Sequence, residues 1–96
     1  MKKDDYKEFN EKMRGRTKQF ALDVIRLSDL FPFKTSSKIL GSQLLRSATS
    51  VAANFRAACR GRSKNEFYSK ICIVVEESDE TQFWLELLKE SNMIDE

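Results

Sequence analysis

Residues 43–66, QLLRSATSVAANFRAACRGRSKNE, constrain the fold of this chain more than any other stretch. They read as a helix, a tight break at Gly61 and the start of a second helix. The first helix is dense in small residues: Ser47, Ala48, Ser50, Ala52, Ala53, Ala57 and Ala58. Small side chains let neighbouring helix axes come close. Arg46 and Asn54 sit among them, and a polar group buried there without a partner costs about 1–3 kcal/mol. The stretch therefore reads as the packing seam of a helical bundle with a polar network built into it.

The segments on either side carry helical periodicity. Phe9, Met13, Phe20, Val24, Leu27 and Phe31 recur at spacings of three and four, with Arg16 interrupting. Gly15 weakens that helix, and Pro32 disfavours helical backbone at Phe31 and ends it. Ser36 or Ser37 can cap the next helix. Along it, Leu40, Leu44, Ser47, Val51, Asn54 and Ala58 share a face. Gly61 suits a left-handed exit. Ser63-Lys64-Asn65-Glu66 has the form of a capping box, with Ser63 as N-cap and Glu66 reaching back. The third helix carries a main stripe, Phe67, Ile71, Val74, Ser78, Thr81, Leu85 and Leu88. A second stripe, Ile73, Glu77, Glu80, Trp84 and Leu87, lies beside it. Two stripes imply burial on two sides, by another helix or by another subunit, so Ile73, Trp84 and Leu87 are candidate interface residues.

The expectation is one all-α domain over 1–96, an antiparallel up-down bundle. Its helices fall at about 9–31, 37–60 and 64–91, and 1–8 and 92–96 are frayed. Asn92 can end the third helix, and Asp95-Glu96 resemble the start of a further one.

Composition narrows the chemistry. No apolar run reaches the ~18 residues of a membrane span, and no signal peptide is visible. Cys59 and Cys72 have no metal-ligand spacing and read as ordinary thiols of a reducing cytoplasm. With no histidine, the commonest general base and the commonest zinc ligand are missing. No nucleophile–base pair, phosphate loop or metal pattern can be named. The chain is expected to be no enzyme, with no cofactor and no metal.

Charge is divided along the chain. Residues 1–64 hold 15 Lys and Arg against 6 Asp and Glu, a balance of +9; residues 65–96 hold 2 against 9, a balance of −7. Either basic and acidic helices neutralise one another side by side, or a basic surface is left for phosphate. Candidate nucleic-acid contacts are Arg14, Arg16 and Lys18 on the first helix, with Arg56, Arg60, Arg62 and Lys64 around the corner. The alternative is a solvated helix terminus that complements its dipole. Arg46 lies 15 residues before Gly61 and Glu76 lies 15 after it, so an antiparallel pairing brings Arg46 to Glu76, with Glu77, Asp79 and Glu80 near. Those residues, with Ser47, Ser50 and Asn54, form the expected polar seam.

The run RSATSVAANFRAACRGRSKNEF at 46–67, with EESDETQFWLELL at 76–88, resembles the bacterial 23S rRNA intervening-sequence proteins. That family includes the accessory variability determinant proteins of diversity-generating retroelements. Arg46, Ser47, Ala48, Ser50, Asn54, Ser63, Lys64, Glu66 and Phe67 carry the match, which covers roughly 17–92. The segment 77–88 is similar to the retroelement-accessory branch. Members commonly read Asn-Ile-Ala-Glu-Gly where this chain has Asn54-Phe55-Arg56-Ala57-Ala58, so an acid is lost and a base gained. The resemblance implies a four-helix up-down bundle that assembles into a ring, commonly a pentamer, with no established activity. Its fourth helix is expected to be truncated here or supplied by another chain. Two functions follow as expectations. One is a non-enzymatic, homo-oligomeric scaffold that binds RNA or DNA, as accessory to a reverse transcriptase. The other is a protein-interaction bundle with no nucleic-acid role.

Overall fold

The computed structural model describes residues 3–93, with side chains from Asp5 onward. Three helices make up the fold: α1 (Lys3–Ser28), α2 (Thr35–Cys59) and α3 (Lys64–Glu90). No strand occurs among the described residues. The molecule measures 48 × 20 × 17 Å. Both α1 and α3 pack closely on α2, while their own backbones do not approach each other. The central element is thus the small-residue helix, which an antiparallel neighbour flanks on each side.

The register follows from side-chain contacts. Phe31 lies against Gly41, where an added Cβ would meet the Phe31 ring at 3.0 Å. Val24 clusters with Leu44, Ala48 and Leu88, all buried. Residue numbers therefore rise along α1 as they fall along α2. Phe31, Leu40, Leu45, Trp84, Leu85 and Met93 close around this cluster. In the seam between α2 and α3, Ser47 and Thr81 are buried, and Thr81 Oγ1 lies 2.9 Å from Ser47 Oγ and 2.7 Å from the Glu77 carbonyl oxygen. Two short hydroxyl side chains fit there because they satisfy each other and the helix backbone without needing space.

The helix ends differ in part from expectation. Helix α1 already runs from Lys3, so 3–8 are helical rather than frayed, and it stops at Ser28 before a turn through Pro32. Helix α2 begins at Thr35, with Lys34 at the N-cap making no side-chain cap bond. Ser37 is instead buried, its hydroxyl 3.5 Å from Met93 Sδ. The N-cap of α3 holds, with the Glu66 amide donating to Ser63 Oγ at 3.1 Å. The reciprocal bond is displaced: Glu66 Oε2 accepts from the Arg62 amide at 2.6 Å. Asn92 takes a left-handed φ of 62°. The Asn92 amide bonds the Lys89 carbonyl and the Met93 amide the Leu88 carbonyl, a Schellman closure that turns Met93 back onto the core. The expected start of a helix at Asp95-Glu96 lies outside the described residues.

Gly61 does not take the left-handed conformation; no glycine among the described residues has a positive φ. Its role is close approach. A Cβ there would meet the Ala58 carbonyl oxygen and the Phe67 amide nitrogen, each at 3.1 Å, both rigid backbone. Gly15 is the opposite case, with nothing within 4 Å of its Cβ position. Gly61→Ala is therefore expected to destabilise by about 1 kcal/mol. Gly15→Ala should stabilise by about 0.5–1 kcal/mol through helix propensity. Paired urea melts read the opposite signs.

One side of the bundle is open. Met13, Arg16, Thr17 and Phe20 of α1 face Ser78, Gln82 and Leu85 of α3 across a groove of about 390 Å³ floored by Val51 and Thr81. The early part of the α1 stripe lies here or beyond the end of α2, which leaves Phe9 51% and Phe20 38% exposed. Its later part, Val24, Leu27 and Phe31, is buried or half-buried.

Candidate nucleic-acid interface

The basic residues of α1 and α2 meet on the face away from the open side. Arg14 and Lys18 are one helical turn apart on α1, and Arg56 and Arg60 are one turn apart on α2. All four line one groove of about 590 Å³ between the two helices, together with Glu11, Gly15, Ala52 and Ala53. The four cations are exposed, and none forms an ion pair among the described residues. The positive charge of Arg14 acts on the Cys59 thiol at the end of α2.

Burial raises the Cys59 pKa above the ordinary thiol value, and Arg14 draws it partly back. The thiolate of Cys59 thus forms at higher pH than that of a free thiol. Removing Arg14 should move it higher still. In a Cys72→Ser background, Arg14→Ala is expected to slow alkylation of Cys59 at pH 8, with its pH midpoint displaced upward. An unchanged rate profile would mean that the Arg14 charge does not act on the thiol.

The remaining basic candidates separate. Arg62 is 91% exposed and lies 4.0 Å from Glu66. With Arg60, Asn65, Glu66 and Lys70 it lines a hollow at the α2–α3 corner, so Arg60 belongs to both surfaces. Lys64 is exposed at the first turn of α3. Arg16 lies on the opposite side, in the open apolar groove. Two helical residues after Arg14 is a rotation of about 200°, so helical geometry alone could have separated them. The floor residues Gly15, Ala52 and Ala53 were not singled out as site residues in the sequence. Their signal was smallness between basic residues at one-turn spacing.

The polar seam is also divided. Arg46 is half exposed, its side chain 46% accessible. It pairs with Glu77 at 3.1 Å and with Glu80, and its Nε donates to Gln43 at 3.0 Å. Trp84 Nε1 donates to Glu80 Oε1 at 3.2 Å, which extends the cluster. Glu76 and Asp79 are exposed instead, and with Glu80, Gln82, Phe83 and Glu86 they line an acidic depression on the outer face of α3. Asn54 donates to the Ser50 carbonyl and hydroxyl, both at 2.9 Å, within its own helix. Among the described residues, only Ser47, with Thr81, is a buried polar contact between helices. Ile73, Trp84 and Leu87 are half-buried, and none of them lines the open groove.

No set of three or more His, Cys, Asp or Glu able to hold a metal occurs among the described residues. No helix there is long and apolar enough to cross a membrane.

Fold and surface together define a small antiparallel helical bundle with a basic interhelical groove on one face and an acidic outer helix on another. A family model described as 23S rRNA-intervening sequence protein matches residues 6–96. The chain belongs to that family. It is also similar to a solved protein of unknown function from the S23 ribosomal protein family of Bacteroides thetaiotaomicron VPI-5482. The two are 31% identical with a TM-score of 0.80, over 90% of this chain and 77% of that one. No curated protein matches the chain.

Proposed function

We propose that this protein is a non-enzymatic, self-associating scaffold that binds nucleic acid through the groove of Arg14, Lys18, Arg56 and Arg60. The observation that carries the reading is the convergence of four exposed, unpaired cations from two helices. Elsewhere, Arg26, Arg46 and Arg62 have carboxylate partners. Lys12, Lys64 and Lys70 are also exposed without an ion pair, so it is convergence in one groove, and not the lack of a partner alone, that sets these four cations apart. Phosphate contacts of this kind position a nucleic acid without reading its bases.

Self-association into a ring, pentameric by the sequence resemblance, would repeat the groove. Modest single-site affinity would then multiply. The half-buried flank of Ile73, Trp84 and Leu87 is the surface proposed for that contact. A role beside a reverse transcriptase rests only on the resemblance of 77–88. The open groove of Met13, Phe20, Val51 and Leu85 favours a second reading, an interaction bundle that makes only apolar protein contacts.

Light scattering on the protein alone and with a short RNA separates the two. The first reading expects a mass of several protomers that rises further with RNA at low salt. A mass unmoved by RNA at 50 mM salt favours the second.

A further inference from the structure

We infer that the nucleic-acid surface does not end with the groove but continues around the α2–α3 corner, with Arg62 and Lys70 as further phosphate contacts and Arg60 as the joint. This rests on the nucleic-acid reading above and extends it. Arg60, the C-cap of α2, lines both the groove and the hollow at the corner. A polyanion held by Arg60 at the end of the groove therefore already lies at the rim of the hollow. Arg62 and Lys70 line that hollow too, and both are exposed. Lys70 forms no ion pair among the described residues. Glu66 is the hollow's one acid, and it is already engaged. One of its carboxylate oxygens accepts from the Arg62 amide at 2.6 Å, and the other lies 4.0 Å from Arg62 Nε. Three cations against Glu66 leave the hollow at +2, and four against Glu11 leave the groove at +3. The open apolar groove, by contrast, is lined by one charged residue, Arg16, and the depression on α3 by Glu76, Asp79, Glu80 and Glu86. Of these four surfaces, the two that are strongly basic are the two that share a residue.

The other end of the groove offers no such path. Along α1, the next residues on the face of Lys18 are Leu22 and Ile25, both exposed and apolar, and then Asp29. On α2, Thr49 and Leu45 continue the face of Arg56 and carry no charge. Glu11 lies one turn before Arg14, whose charge acts on Cys59 at the end of α2, so Glu11 stands on the α1 wall at the Arg60 end. Its like charge repels a phosphate backbone from that wall and turns it toward α2 and the corner. The corner also decides which lysine takes part. Lys64, two residues before Glu66, is turned about 200° from it, and it does not line the hollow. Lys70, four residues after Glu66, shares its face and does line it.

The test is fluorescence anisotropy with the full chain and a labelled 20-nucleotide oligouridylate between 50 and 200 mM KCl. At ~3.4 Å per phosphate this strand is roughly 65 Å long. The protein measures 48 Å in its longest dimension, so the strand must run past the groove. Six phosphate contacts predict a slope of about −4.2 in log K against log salt, and the four groove contacts alone predict about −2.8. Arg62→Gln combined with Lys70→Gln should bring the slope from the first value to the second. Lys70→Gln alone should bring it to about −3.5, and Lys64→Gln should leave it at about −4.2. Both replaced side chains are exposed, and the 2.6 Å bond to Glu66 comes from the Arg62 backbone amide, so the corner keeps its turn. Lys70→Gln alone, a change that keeps helix propensity, guards against a disturbed turn in the double variant. A wild-type slope of about −2.8, or a double variant with the wild-type slope, overturns the corner contact and leaves the groove reading standing. So does a Lys64→Gln slope reduced as far as that of Lys70→Gln. Absence of binding, or a slope of about zero, overturns both.

Discussion

Reversing all four groove cations, as Arg14→Glu, Lys18→Glu, Arg56→Glu and Arg60→Glu, should abolish nucleic-acid binding while the helices remain. Each reversal changes the charge by −2, so the net charge falls from +2 to −6. The groove then repels what it held, and long-range attraction of the polyanion is lost as well. Affinity at 50 mM salt should drop by about a hundredfold or more, the scale expected when about four phosphate contacts are removed. The fold should tolerate the change. All four side chains are exposed and unpaired, so packing is not disturbed. The main cost is at the end of α2, where negative charge opposes the helix dipole by about 0.3–1 kcal/mol per residue. Circular dichroism should show the same helix content and a melting point lower by several degrees. A reversed protein that still bound would place the interface elsewhere, with the corner at Arg62 and Lys70 the next candidate.

Leu44→Ala should produce the largest loss of stability of any single substitution considered. Leu44 has no exposed surface and sits where all three helices meet, against Val24, Ala48 and Leu88. The cluster is small, and a chain of this length buries little else. Truncation removes the transfer energy of the side chain and leaves a cavity, about 2–5 kcal/mol together. A domain of this size has a total stability of about 5–15 kcal/mol, so the loss is a large fraction. At roughly 4–8 °C per kcal/mol, the melting point should fall by at least ~8 °C. Leu30→Ala serves as the control. Leu30 is 80% exposed, and its truncation should stay within about 0.5 kcal/mol of wild type.

Much of the fold was legible before any coordinates. Spacings of three and four placed all three helices, Pro32 separated α1 from α2, and Ser63 marked the first turn of α3. Helix faces depend only on local geometry, so they can be read from one chain. Inter-helix register cannot. Counting outward from Gly61 paired Arg46 with Glu76, but the structure pairs it with Glu77 and Glu80. The connection occupies Arg60–Ser63, so its midpoint lies past Gly61 and the partner residues move toward the C-terminus. The same limit hid the exposure of Arg46. The small residues around it imply close packing of α2, but not which sector of α2 stays uncovered.

The basic site was half legible. Charge division identified Arg14, Lys18, Arg56 and Arg60 as basic residues, but nothing in one sequence says that α1 lies beside α2 in the register that brings them together. Arg16 was grouped with them by proximity in sequence, although it faces the apolar groove. Neutralisation by α3 holds for Arg46, which pairs with Glu77 and Glu80, but for a geometric reason it does not reach the groove cations. The acidic residues Glu76, Asp79 and Glu86 occupy the outer face of α3, whereas the basic groove lies between α1 and α2.

The salt dependence of binding tests the central claim most directly. With the wild-type protein and a short single strand, the dissociation constant is measured by anisotropy between 50 and 200 mM KCl. Four cations on a single strand give a slope near −2.8 in log K against log salt, or about fifty-fold weakening over that range. A dissociation constant that stays level across it would contradict the claim that these four side chains hold a phosphate backbone.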